Sequence, residues 1–293
     1  MVSKIRKIFQ TREVGHAGTL DPFATGVLIC ALGKATKILE YIQHQDKEYI
    51  ATLTLGQSSD TYDCEGVIEE IPSTKYLPTL VDKKSLSGSR SEIVIGKIPN
   101  REKVETILKQ FIGEISQVPP RFSAIKVDGV KSYDRARKGE DFELPARKVT
   151  IESIEILEYV FPLLKIKVAC STGTYIRSLG HDIGEKLGTH ALLSGLERTR
   201  IGNICVEQCH TLEKLSSVGA SDLKPLLIWD ANILPLETIE LTSEQIQKLK
   251  LGQFITMDTN SNNVELFGIS ENKPIAILER KEALWKTKKL LIE

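Results

Sequence analysis

The segment Gly15-His16-Ala17-Gly18-Thr19-Leu20-Asp21-Pro22-Phe23-Ala24-Thr25-Gly26 sets one carboxylate, Asp21, on a tight glycine-rich turn among apolar residues. A carboxylate so placed has two uses. It can form a turn or cap a helix through backbone hydrogen bonds, or it can act as a nucleophile, as carboxylates do at the anomeric carbon of sugars. The second use requires an ionised group where water is excluded, and burial alone would raise its pKa. A cation fixed beside it reverses that shift and orients the carboxylate. The spacing of the segment leaves both uses open.

Other common chemistries lose their usual supports. Gly26 and Gly33 precede Lys34, but they stand too far apart for a phosphate-cradling loop, and Ala35 occupies the place of the required hydroxyl residue. Residues 60–66 are acidic and end in glycine without the spacing of a calcium-binding loop. No GxSxG, HExxH or GxGxxG motif occurs. Cys205, Cys209 and His210 lack a second ligand pair at zinc spacing. The cysteines, Cys30, Cys64, Cys170, Cys205 and Cys209, are odd in number and scattered, and read as free thiols of a reducing compartment, hence a cytoplasmic protein. The longest apolar run, residues 27–32, is far too short to span a membrane.

The 39 basic and 39 acidic residues cancel, so composition alone gives no support for nucleic-acid binding. Basic residues do gather locally, at Lys4, Arg6, Lys7 and Arg12, between Arg121 and Lys148, and at Arg280, Lys281, Lys286, Lys288 and Lys289. Such clusters are either solvated faces or phosphate contacts. The elements that must position the chemistry are read from periodicity. Residues 3–14 predict a short helix and residues 15–21 a loop. Residues 49–55 alternate as a strand. Residues 71–100, with Pro72, Pro78, Pro99 and a serine-rich run, look inserted. Residues 101–112 form an amphipathic helix stopped by Gly113. Residues 149–159 and 163–170 form a hairpin, and residues 174–187 a helix stopped by Gly188. Beyond Pro235 a capping box at residues 242–245 opens a helix, and short strands follow at 264–269, 275–278 and 289–292. This gives an α+β chain: a large mixed domain, residues 1–236, and a small α+β module, residues 237–293.

Four ordered blocks resemble the TruB family of pseudouridine synthases. The first is the Asp21 segment. The second is Asp46-Lys47-Glu48-Tyr49 leading into the acidic turn Gly56-Gln57-Ser58-Ser59-Asp60-Thr61-Tyr62-Asp63-Cys64-Glu65-Gly66. The third is Pro119-Pro120-Arg121-Phe122-Ser123-Ala124-Ile125-Lys126, with Gly129 and Tyr133. The fourth is Gly173-Thr174-Tyr175-Ile176-Arg177, with Asp182 and Gly188, then Leu196-Glu197-Arg198-Thr199-Arg200. The resemblance covers roughly residues 3–236 and, more weakly, the tail. Two features depart from it: the family's upstream Lys-Pro-x-Gly-x-Thr-Ser segment is missing before Met1, and the insertion at 71–100 is long.

The resemblance implies a pseudouridine synthase fold, a mixed and mainly antiparallel sheet with surrounding helices and a central RNA-binding cleft, and a PUA-like RNA-binding tail. It implies isomerisation of uridine 55 in the T loop of tRNA, with Asp21 as nucleophile, Arg177 as its paired cation, and Tyr49 packed on the flipped uracil. His16 would enter the T loop, Lys126 would meet a phosphate, Leu196 would wall the uracil pocket, and Tyr175 would pack near Asp21. It implies no cofactor, no metal and no obligatory protein partner: a monomer acting on the T arm of tRNA. The other readings are a guide-dependent H/ACA-type synthase, a non-catalytic tRNA-binding or folding module, and an unrelated glycosidase-like enzyme for which Asp60 and Asp63 would be the nearby second carboxylates.

Overall fold

The computed structural model describes residues 1–70, 98–127, 129–218, 231–259 and 261–292. The expected insertion therefore lies outside the described residues, apart from 98–100. In chain order the elements that matter are helix α1, Val2–Ile8; strands β1, Val14–Ala17, β2, Ile29–Leu32, and β3, Lys47–Leu55; and helix α2, Arg101–Lys109. Next come β4, Gly113–Gln117; β5, Arg147–Val160; β6, Leu163–Cys170; helix α3, Ile176–Leu187; β7, Ala191–Ile201; and β8, Ile204–Cys205. The tail holds β9, Thr238–Glu240; helix α4, Ser243–Lys250; β10, Glu265–Ser270; β11, Lys273–Lys281; and β12, Leu284–Leu290. The mixed α+β class follows, with antiparallel pairing at β5–β6, β6–β3 and β5–β4 and a parallel pair at β9–β10.

The chain packs as two compact units. One comprises Pro22–Thr25 and Asp46–Arg198. Its sheet runs β7-β3-β6-β5-β4. Strict alternation along β3 buries Lys47, Tyr49, Ala51, Leu53 and Leu55, and this face meets Leu164, Ile166 and Val168 of β6 and Leu179 and Ile183 of α3 in one apolar cluster. Helix α3 lies close against its neighbours because it carries small residues: a Cβ on Gly184 would sit 2.2 Å from the Ala191 backbone nitrogen. Gly188 ends the helix in the left-handed conformation at φ 74°. Gly184→Ala is expected to destabilise the chain by about 1–3 kcal/mol, because backbone on the facing side has no room to move. An unchanged urea midpoint would contradict this.

The other unit comprises Met1–Asp21, Gly26–Gln45 and Thr199–Glu293. Residues 15–21 are not one loop: Gly15, His16 and Ala17 lie in β1, which pairs antiparallel with β2. Gly15 fits a strand there because the Leu39 side chain fills the place of its Cβ, 2.5 Å away. Helix α1 is shorter than predicted and stops before Thr11. The tail strands form a sheet β9-β10-β11-β12. The predicted strand at 289–292 forms earlier, as β12. The capping box at Thr242 and Gln245 forms as read.

Within this unit the tail packs against earlier segments of the chain. Ala17, Val27, Ile38 and Ile42 share a core with Phe267, Ile269, Ile277 and Leu291 of the tail. Polar contacts add to it: Lys34 donates to the Ile292 carbonyl at 2.9 Å, Lys37 to the Leu290 carbonyl at 2.9 Å, and Tyr41 to Glu265 at 2.8 Å. Lys289 pairs with Glu40 at 2.7 Å, Lys286 with Glu279 at 3.2 Å, and Lys288 with Glu265. These tail lysines are therefore engaged within the protein, and any phosphate would compete with carboxylates for them.

Candidate active site

Arg177 is the centre of the geometry. It lies in the first turn of α3 and is only 5% exposed. A buried guanidinium needs its donors satisfied and its charge compensated. Its Nη1 donates to the Thr61 carbonyl at 3.2 Å and lies 3.3 Å from Asp63 Oδ2, and its Nη2 donates to the Phe122 carbonyl at 3.0 Å. Asp63 is 3% exposed and held from the other side: its Oδ1 accepts from the Thr61 hydroxyl at 2.6 Å and from the Glu65 backbone at 2.9 Å. The acidic turn, the 119–126 block and the arginine block thus converge on one cation.

The start of α3 is fixed separately. Gln117 is fully buried, and its side-chain amide donates to the Tyr175 carbonyl at 3.1 Å while its Oε1 accepts from the Tyr175 nitrogen at 2.8 Å. Ser178 donates to the Val118 carbonyl at 2.7 Å. The end of β4 therefore sets the height at which Arg177 is presented. Tyr175 is half-buried with the Arg147 guanidinium 5.9 Å over its ring.

Tyr49, on the buried face of β3, and Leu196, on β7, are 7% and 9% exposed and lie in the same apolar cluster. Phe23 and Ala24, which follow Asp21 in the chain, pack against that cluster. Asp21 itself is half-buried in an irregular segment. His16 is on β1 opposite Cys30, with its Nδ1 buried and lacking a hydrogen-bond partner among the described residues. Lys126 is exposed on a two-residue strand, Lys126–Val127, that pairs with Val130–Lys131. Asp60 is a turn former: its Oδ1 accepts from the Val67 nitrogen at 2.9 Å. Among the described residues no group of three or more His, Cys, Asp or Glu side chains gathers to hold a metal ion, and no helix is long and apolar enough to cross a membrane.

Beside this centre, burial first and Glu185 second raise the Asp182 carboxyl to about 6. The folded chain then binds this proton more tightly than the unfolded chain does. The favourable contribution is complete below the unfolded value of 3.8 and is lost as pH rises through 6. Asp182→Asn is expected to raise the melting temperature at pH 7.5 by about 2–4 °C and to lose that gain at pH 4. An equal gain at both pH values would contradict the sign.

The N-terminal-domain model of the TruB family pseudouridylate synthases matches residues 6–84 and 77–176, and the tRNA pseudouridylate synthase B C-terminal-domain model matches residues 177–239. The chain belongs to the TruB family. Among its relatives are proteins named tRNA pseudouridine synthase B. That of Parabacteroides distasonis is 45% identical over 212 residues, 72% of this chain and 79% of the relative. That of Borreliella burgdorferi is 36% identical over 280 residues, 94% of this chain and 88% of the relative. That of Clostridium tetani is 37% identical over 297 residues, 100% of this chain and 94% of the relative. A solved Cbf5-Nop10-Gar1 complex contains a chain similar in fold, at a TM-score of 0.67 and 22% identity, covering 99% of this chain and 80% of that one. As a TruB family member the chain therefore has the pseudouridine synthase fold expected from its four blocks. Asp63 is the residue that reading the TruB blocks undervalued: it stood there only as part of an acidic turn or as a glycosidase-type second carboxylate. The signal available was the acidic turn itself, within the same resemblance as Arg177.

Proposed function

We propose that this chain isomerises uridine 55 in the T loop of tRNA to pseudouridine, acting alone on a flipped-out nucleotide. The reaction breaks the N1–C1′ bond, turns the uracil, and forms a C5–C1′ bond. The C5 proton leaves to solvent and N1 gains one, so there is no net oxidation and no water is consumed. A nucleophile that holds one fragment while the base turns is sufficient, and no metal or redox group is called for. Asp21 supplies this carboxylate, and Arg177 keeps it ionised and oriented. Tyr49 packs on the uracil, with Leu196 and Tyr175 forming walls of the pocket. The target must leave its stack to be reached; His16 enters the vacated T loop and Lys126 meets a phosphate, a contact that positions the RNA without reading sequence. The chain works as a cytoplasmic monomer on the T arm, and residues 237–293 add RNA contact.

The observation that carries this reading is the convergence of three family blocks on the buried Arg177 guanidinium. Structural networks also bury arginines. Here, however, the arginine stands at the start of a helix latched by Gln117, in a unit whose apolar cluster has Phe23 and Ala24, shortly after Asp21 in the chain, packed against it. The test is carbodiimide mapping of unmodified tRNA after incubation with the purified chain. A single new reverse-transcription stop reporting position 55 is expected. Stops elsewhere, or none from a folded chain, would overturn the assignment.

A further inference from the structure

His181 lies one helical turn beyond Arg177 on α3, on the same side of the helix. Its ring stacks on Tyr62, with centroids 4.0 Å apart and planes 11° from parallel. Tyr62 is the residue between Thr61, whose carbonyl accepts from Arg177, and Asp63, whose carboxylate pairs with it. The turn is thus joined to α3 at two successive levels, by the guanidinium and by the stack.

Three features show that the stack is a constraint on the turn rather than a chance contact. Tyr62 has φ 63°, in the left-handed region that a bulky side chain rarely adopts, so its surroundings must hold it there. Its carbonyl accepts from the Leu193 nitrogen at 3.0 Å, which fixes the backbone from the β7 side and leaves His181 as the ring contact from the helix side. The His181 Nδ1 is buried and has no hydrogen-bond partner among the described residues, so that nitrogen does not fix the ring and the contact made by its face does. Burial, helped by His190 and opposed by Glu185, lowers the imidazole pKa, which keeps the ring neutral and suited to aromatic stacking. The charged groups around the pair are Asp182, Glu185 and Arg121, all of which act on the Tyr62 hydroxyl.

We propose that His181 is a positioning residue for the reaction: stacked on Tyr62, it holds the 61–63 turn at the height that orients the Arg177 guanidinium. The inference rests on the function proposed above. Its effect should reach chemistry and not tRNA binding, since neither ring is assigned to RNA.

The test compares steady-state turnover on tRNA by the full chain and by His181→Phe, which keeps a flat ring, and His181→Leu, which fills volume without one. His181→Leu is expected to lower kcat by about three- to tenfold with KM within about twofold, the range a single aromatic pair supports. His181→Phe should stay within about twofold of the parent. Tyr62→Leu should slow the reaction to the same degree, and adding His181→Leu to it should cost little more. Equal kcat for the Phe and Leu variants, or a loss confined to KM, would overturn the role. Should His181→Leu fail to fold, as judged by circular dichroism, the Phe variant and Tyr62→Leu still decide: a slowed His181→Phe or a full-speed Tyr62→Leu overturns it. An inactive parent overturns both this role and the proposed function, whereas an active parent with indifferent variants overturns this role alone.

Discussion

Asp21→Asn should abolish pseudouridine formation, a loss of about 10⁴-fold or more as for other single nucleophiles, while leaving tRNA affinity within about threefold of the parent. The amide keeps the shape and one acceptor of the carboxylate, so the segment between Gly18, at φ 80°, and Pro22 has no reason to refold. What disappears is the negative charge and the nucleophilic oxygen. Binding rests on other residues, because phosphate contacts and the splayed base do not require that carboxylate. Single-turnover formation of pseudouridine, beside filter binding of tRNA, separates the two. A variant that retained a tenth of the parent rate would remove Asp21 from the role.

The second large effect is expected at Arg177. Arg177→Lys keeps one positive charge but replaces a planar fork by a point charge. No single ammonium can reproduce the contacts to the Thr61 carbonyl, the Phe122 carbonyl and Asp63 from one position. The acidic turn and the 119–126 block would no longer be tied to the helix through one group. A loss of about 100-fold in kcat is expected, with some loss of stability, because breaking a buried pair costs about 3–5 kcal/mol at the upper end. Asp63→Asn should follow in the same direction with a smaller effect: the amide still accepts from the Thr61 hydroxyl and the Glu65 nitrogen, but it no longer balances the guanidinium. Turnover of Arg177→Lys within fivefold of the parent would contradict the proposed role of the fork.

Local pattern carried much of the fold. The alternation of β3, the stop of α3 at Gly188 and the Thr242 capping box are short-range signals, and each forms where its residues predict. The failures share a cause. Gly15 and Gly18 look like loop residues, yet Gly15 is a strand residue paired with Ala31, and it is a glycine there because Leu39 takes the space of a Cβ. The long strand β7 lacks a clean alternation, with three buried residues in succession at its start, so it escaped a period-two reading. The tail's own core is legible, and the packing of Phe267 and Leu291 with Ala17 and Ile38 adds a contact between distant segments that no local window contains. At the site, the four blocks named candidates, and the acidic turn and the 119–126 block among them meet at Arg177. They could not say that Asp63 would be set against Arg177, because pairing at that separation is decided by how α3 docks on β3, β7 and the end of β4.

The most direct test of the account is tritium release from tRNA labelled at C5 of uridine, using the purified chain with no guide RNA, metal or protein partner. Forming the C5–C1′ bond must expel that hydrogen. The account predicts release equivalent to one uridine per tRNA and reaching completion with catalytic amounts of the chain. A folded chain that releases none, or does so only when a guide RNA is supplied, would contradict it.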